Sequence, residues 1–173
     1  IDKTEKEIAS KKIASNKKNI ILGVGSSGPT TRWGSNNYIN LIKDLVKKND
    51  FFFFLLCGPN EKEIVDTILN EVDKNCCTSL DDKKIAEIIP LISLADIYVG
   101  NDSFGQHVAS QCNIPSIVIM LDTPKAYSDY SINQFRILPE NINENDISHD
   151  STFAPDTIKV EKVLEKIFSL LKL

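Results

Sequence analysis

Phe51-Phe52-Phe53-Phe54-Leu55-Leu56-Cys57 carries no polar residue, and a strand without a polar face has to be covered on both sides. Residues 19–25 and 115–120 are similarly apolar, and Ile97-Tyr98-Val99 is a shorter version of the same pattern. Between these runs the apolar residues switch to helical spacing: Ile39, Ile42, Leu45 and Val46, then Ile64, Val65, Ile68 and Leu69, then Ile85, Ile88 and Ile89. Doubly covered strands alternating with amphipathic helices define an α/β architecture with a doubly wound parallel sheet. A short third strand is expected near Cys76-Cys77-Thr78, a sixth over residues 135–138, and a closing helix over residues 155–171. Asp81 or Asp82 is expected to start the helix through Ile85, and Pro90 to kink or divide it. Ser35 is expected to cap the helix through Ile39.

At 173 residues the chain has the length of one domain. Residues 1–18 are lysine-rich, with Ile8, Ala9, Ile13 and Ala14 at helical spacing, and read as a solvated or linker helix ahead of a domain over residues 19–173. The net charge of −4 argues against a nucleic-acid partner. Cys57, Cys76, Cys77 and Cys112 lack metal or CxxC spacing and read as reduced thiols. His149 has no partner at ligand spacing, so no metal site is expected. No apolar run reaches the ~20 residues of a membrane span, and no signal-peptide pattern is present. A cytoplasmic location follows, with Lys11-Lys12 and Lys17-Lys18 allowing at most a peripheral association with a membrane surface.

In the 3-2-1-4-5-6 strand order of such sheets, ligands bind where the loops after strands 1 and 4 lie side by side. Both loops carry chemistry. Asn101-Asp102-Ser103-Phe104-Gly105-Gln106-His107 links the fourth strand to a helix, with Asp102 placed as an N-cap. The free amides of such a helix start favour an anion, so Ser103 and the N–H groups of Phe104 and Gly105 are candidates for a diphosphate. His107 suits either a phosphate contact or a structural hydrogen bond near Asp102. The loop after the first strand offers the hydroxyls of Ser26, Ser27, Thr30 and Thr31, and Arg32 for a bidentate phosphate grip. Trp33 reads as packing beneath it. Gly23-Val24-Gly25-Ser26-Ser27-Gly28 matches G-x-G-x-x-G, but six residues, Pro29 to Gly34, separate it from the helix, and no acidic residue ends the second strand. A nicotinamide dinucleotide is therefore rejected.

These stretches resemble glycosyltransferase family 9, the lipopolysaccharide heptosyltransferases. Leu94-Ala95-Asp96-Ile97-Tyr98-Val99-Gly100-Asn101-Asp102-Ser103-Phe104-Gly105-Gln106-His107-Val108-Ala109 is similar to the family's AD-hhhG-ND[ST]G-xx-H-hAA stretch. Thr31-Arg32-Trp33 is similar to its KRW loop, and Gly58-Pro59-Asn60-Glu61 to its GGP-xE turn. Thr31 stands where the family has lysine, and Phe104 where it has glycine, with Gly105 one place later.

The resemblance spans residues 20–138 and implies a Rossmann-like donor-binding domain, the carboxyl-terminal half of a two-domain GT-B enzyme. By it, Ser103, Phe104 and Gly105 face the diphosphate with His107 beside it. Thr31 and Arg32 approach the same phosphates, and Glu61, or else Asn60, meets the ribose. It implies ADP-heptose as donor, a lipopolysaccharide core as acceptor and no cofactor. No catalytic residue is expected in this chain, because the general base belongs to the amino-terminal domain and a domain holding only the donor cannot complete the transfer. A nucleotide-sugar epimerase-like GT-B enzyme and a non-catalytic Rossmann-like binding module are the alternatives.

Overall fold

In the computed structural model, which describes residues 1–48 and 50–173, the apolar runs become neighbouring strands. They are β1 (Lys18–Gly23), β2 (Phe51–Leu56), β3 (Cys77–Ser79), β4 (Ile97–Asn101), β5 (Ser116–Ile119) and β6 (Gln134–Ile137). Among the described residues these form one sheet in the order β3-β2-β1-β4-β5-β6, and every pairing is parallel. The expected strand order, and the adjacency of β1 and β4, are both observed. The register sets Gly23 beside Leu56 on one side and Gly100 on the other, so the three strands end level.

Alternate residues feed opposite layers. Ile20, Leu22, Phe51, Phe53, Leu55, Ile97 and Val99 join one core cluster with α2 (Ser35–Val46), α3 (Lys62–Leu69) and α6 (Val160–Leu171). Ile21, Phe54, Leu56 and Tyr98 point the other way, toward α1 (Lys3–Ser10), α4 (Ile85–Leu94) and α5 (Phe104–Gln111). The second run thus needs its unbroken apolar character because both of its faces are interior.

α1 is largely exposed, is capped by Asp2, and buries Ala9 as it packs along α4. No helix among the described residues is long and apolar enough to cross a membrane.

Three boundaries differ from expectation. α4 starts at Ile85 rather than at Asp81 or Asp82, because Asp81 is turned back: its N–H donates to Ser79 Oγ at 3.0 Å, and its carboxylate accepts from Lys62. The later start leaves Pro90 in the second turn, where its ring opposes only the first-turn carbonyl of Ala86, and the helix runs through it unbroken. Ser35 is the first residue of α2, and Gly34 takes the capping position at φ +89°, a backbone region that strains any side-chain-bearing residue. The closing helix is split. A 3₁₀ turn at Pro155–Thr157 precedes α6, because the carbonyl of Ile158 is taken by the Trp33 indole N–H at 2.9 Å.

Candidate functional site

Beyond Gly23 the chain leaves β1 by leaning onto β2: the N–H groups of Val24 and Gly25 both donate to Leu56 O, at 2.9 and 3.4 Å. Asn101, wholly buried at the end of β4, staples this loop from the other side. Its amide nitrogen donates to Val24 O at 3.0 Å, and its oxygen accepts from the Trp33 backbone N–H at 3.0 Å. The Tyr38 hydroxyl lies between Gly23 O and Asn101 Oδ1, at 2.9 and 3.1 Å. Trp33 itself is fully buried and meets Tyr38 edge to face, the packing role expected of it. Asn101 satisfies the polar groups of a loop that turns inside the protein, where an unpaired amide would cost about 1–3 kcal/mol.

The loops after β1, β2, β3 and β4 then surround a cleft of about 1060 Å³. Ser26, Ser27, Arg32, Glu61, Asp102, Ser103, Phe104 and Gly105 line it, whereas Thr30, Thr31 and His107 do not. The Thr30 and Thr31 hydroxyls turn away to the carboxylate of Asp122, a buried residue beyond β5, at 2.5 and 3.2 Å. Two threonines read as phosphate donors are in this structure committed to anchoring the loop.

His107 sits on the outer side of α5. Its ring stacks on Tyr130 with centroids 5.8 Å apart, and Nδ1 is hydrogen-bonded to the Tyr130 hydroxyl. Nε2 stands 3.8 Å from Asp102 Oδ1.

Ser103, not Asp102, holds the N-cap position of α5, and its side chain makes no capping bond. Asp102 Oδ1 instead accepts from the Gln106 amide at 2.7 Å, while Ser103 Oγ lies 3.2 Å from the Tyr98 hydroxyl. Among the described residues no acceptor meets the N–H groups of Phe104 and Gly105. Both residues line the cleft, at the positive end of the helix dipole. Phe104 is 43% exposed, so the aromatic ring in place of a smaller residue forms part of the wall.

In the same cleft, Arg32 Nη2 donates to Glu61 Oε1 at 2.7 Å and to Ser26 O at 3.2 Å. Cys57 lies on the floor. Burial, followed by the charge of Glu61, pushes its thiol up to about 11.

Sequence reasoning missed one wall altogether. Leu80, Lys83, Lys84, Ile85 and Ile88 bring the β3–α4 connection into the cleft. Ile85 is 60% exposed there. A signal was available: the expected strand order already placed the end of strand 3 on the same sheet edge, beside strand 2. The β3 side of the cleft is consequently apolar with lysines at its rim, and the β1/β4 side is polar. Such a cleft accommodates an elongated ligand with a flat apolar end and an anionic middle. Among the described residues no three His, Cys, Asp or Glu side chains gather closely enough to hold a metal ion.

A parallel doubly wound sheet with its cleft at the β1/β4 switch point makes this a Rossmann-like α/β domain of the kind found in GT-B heptosyltransferases. The model of glycosyltransferase family 9 (heptosyltransferase) matches residues 1–152, and the chain belongs to that family. It is 29% identical over 180 residues to lipopolysaccharide heptosyltransferase 1 of Campylobacter coli, covering 98% of this chain and 52% of that protein. The structure of E. coli ADP-heptose LPS heptosyltransferase II superimposes with a TM-score of 0.83 at 23% identity, over 99% of this chain and 52% of that one. E. coli heptosyltransferase WaaC with ADP gives 0.74 at 14% identity, over 95% and 48%. The chain therefore spans about half the length of these relatives.

Proposed function

We propose that this chain is the donor-binding domain of a glycosyltransferase that moves a sugar, of the heptose class, from a nucleoside-diphosphate sugar to a lipopolysaccharide-core acceptor. The observation that carries the reading is the presence, in one cleft, of the uncapped start of α5 and the guanidinium of Arg32. The free amides at the start of α5 and the guanidinium of Arg32 line the same cleft, and both suit the negative oxygens of a diphosphate.

In this reading the amides of Phe104 and Gly105, with Ser103 and Ser27, take one side of the diphosphate, and Arg32 takes the other. The base lies on the apolar β3 side against Leu80 and Ile85, and the transferred sugar lies toward Asp102. Thr30 and Thr31 contribute through Asp122 by holding the loop, and His107 by holding Asp102 and Tyr130. Family membership, together with one structural relative that is an ADP-heptose LPS heptosyltransferase and another that was solved with ADP, supports ADP-heptose over the sugar of an epimerase. In this reading the acceptor site and the general base belong to a second domain, and the enzyme works in the cytoplasm with at most a peripheral association with a membrane face.

Isothermal titration of the chain with ADP tests this. ADP is expected to bind in the micromolar to low-millimolar range, and Arg32→Ala to weaken it about tenfold, the loss of a charge-assisted bond. Absence of binding by ADP, GDP and UDP alike at millimolar concentration would overturn the reading.

A further inference from the structure

Gln106 on α5 and Gln134 on β6 are buried polar side chains, and neither lines the cleft. Gln134 Nε2 donates to Gln106 Oε1 at 2.5 Å, and Gln134 Oε1 accepts from the Tyr130 N–H at 3.4 Å. Gln106 Nε2 donates to Tyr127 O at 3.1 Å and to Asp102 Oδ1 at 2.7 Å. A primary amide presents an oxygen at one end and two N–H groups at the other, and both ends of this pair meet backbone groups of fixed polarity. The Tyr130 N–H can only donate, so the oxygen of Gln134 faces it and the nitrogen faces Gln106. The Tyr127 carbonyl can only accept, so it takes the nitrogen of Gln106, and the same nitrogen meets Asp102. Turning either amide over would set acceptor against acceptor, out of reach of water.

We propose that Gln106 and Gln134 are positioning residues for the transferred sugar, a polarised pair of amides that runs from the β5–β6 connection to Asp102 and fixes that carboxylate. Gln106 holds Oδ1, and among the described residues Oδ2 accepts no hydrogen bond. Oδ2 is thereby left for a sugar hydroxyl in the cleft that Asp102 lines. Because the pair is anchored at Tyr127 and Tyr130, the placement of the β5–β6 connection sets the reach of Asp102, although that connection does not itself line the cleft. This role rests on the donor reading above for its ligand, and it separates recognition of the sugar from binding of the diphosphate. A carboxylate held in one orientation loses less freedom on binding than a mobile one.

The test has two arms. In the first, ADP and ADP-heptose are titrated calorimetrically into the chain, into Gln106→Leu, Gln134→Leu and Asp102→Asn, and into the double variant of Gln106→Leu with Asp102→Asn. Only the sugar-bearing ligand reaches Asp102, so Gln106→Leu should weaken ADP-heptose about tenfold and ADP by less than about twofold. Gln134→Leu leaves the Asp102 contact in place but frees the Gln106 amide to turn. It should show the same selectivity with a smaller loss, which covers the case of Gln106→Leu folding poorly. The double variant should bind ADP-heptose no worse than Asp102→Asn alone, the non-additivity expected of residues acting as a unit. Equal effects on the two ligands, no effect on either included, or additive losses in the double variant would make the amides ordinary packing and overturn the proposal.

The second arm needs no ligand. Asp102 and Tyr127 engage the two protons of Gln106 Nε2, and the ring nitrogens Nδ1 and Nε2 of His107 lie 3.3 and 3.2 Å from the same atom. His107 and His149 are the only histidines, so the His107 imidazole resonances are readily assigned. The Gln106 side-chain amide should exchange with solvent far more slowly than an exposed one, and Gln134→Leu should shift it together with the His107 signals. An amide that exchanges like an exposed one, or that is indifferent to Gln134→Leu, sinks the proposal whatever the ligands do. A protected amide that responds to Gln134→Leu, in a chain that ignores ADP and ADP-heptose alike, upholds the hold on Asp102 and removes the donor reading instead.

Discussion

Cys57 ends the most apolar strand of the chain and forms part of the cleft floor. Only the thiolate is nucleophilic, and raising the thiol from 9.0 to about 11 removes almost all thiolate at neutral pH. At pH 8 its alkylation by iodoacetamide, followed by site-resolved mass spectrometry, is expected about a hundredfold slower than that of an ordinary exposed thiol. The rate should keep rising to about pH 11, and ADP should slow it further by covering the floor.

At this scale the sequence was a partial guide. Ser103, Gly105 and Arg32 are legible because residue type and strand order together place them at the switch point. Where Thr30, Thr31 and His107 point is not legible, since Asp122 and Tyr130, which draw them aside, arrive from elements many residues away. Glu61 was found for its motif, but the loop amides that occupy it belong to the tertiary fold.

Among the elements, β6 is tied at the sheet edge by charged groups as well as by its pairing with β5. Arg136 Nη1 donates to Ser128 O at 2.8 Å and to Asp129 Oδ1 at 3.0 Å, and Nε is bonded to the carboxylate of Glu144. The Arg136 bond, against a smaller opposing effect of burial, holds the Glu144 carboxyl below its ordinary value of 4.5. A carboxyl depressed in the folded state contributes stability that is present above its unfolded value and lost as pH falls through the folded one. Glu144→Gln is therefore expected to cost about 1 kcal/mol at pH 7. In urea titrations the difference from the parent should be unchanged down to about pH 4.5 and fade below it.

Element boundaries show how far local pattern reaches. The strands were found because doubly covered strands are apolar throughout. The start of α4 was misplaced because Asp81, a good cap by type, is recruited by Ser79 and Lys62. Gly34 displaced Ser35 as the cap because Trp33 is drawn inward to Asn101, which forces a turn only glycine makes easily.

For the molecule as a whole, the segment beyond the family match matters most. Ile158, Val160, Val163, Leu164 and Ile167 are all buried in the cluster beneath β1, β2 and β4. At about 1.5–3 kcal/mol for each large side chain, their burial is comparable to the entire ~5–15 kcal/mol by which a domain is stable. The Trp33–Ile158 bond also links this segment to the site loop. A chain ending at residue 152 is expected to lose its cooperative unfolding transition, read by far-UV circular dichroism and by the fluorescence of Trp33, the sole tryptophan. In the full chain the two signals should melt together, as one unit.

Sequence alone determined the layered α/β class, the strand order and the two loops that meet at the switch point. Those properties follow from periodicity and from the rule that a strand apolar on both faces lies inside a parallel sheet. Tertiary structure decided which polar groups in those loops remain open to a ligand. Each loop carries more donors and acceptors than a ligand needs, and a buried polar group takes whatever partner the fold brings within reach. For Thr30 and Thr31 that partner is Asp122, for Glu61 it is Arg32 with two backbone amides, and for the start of α5 none is supplied by the described residues.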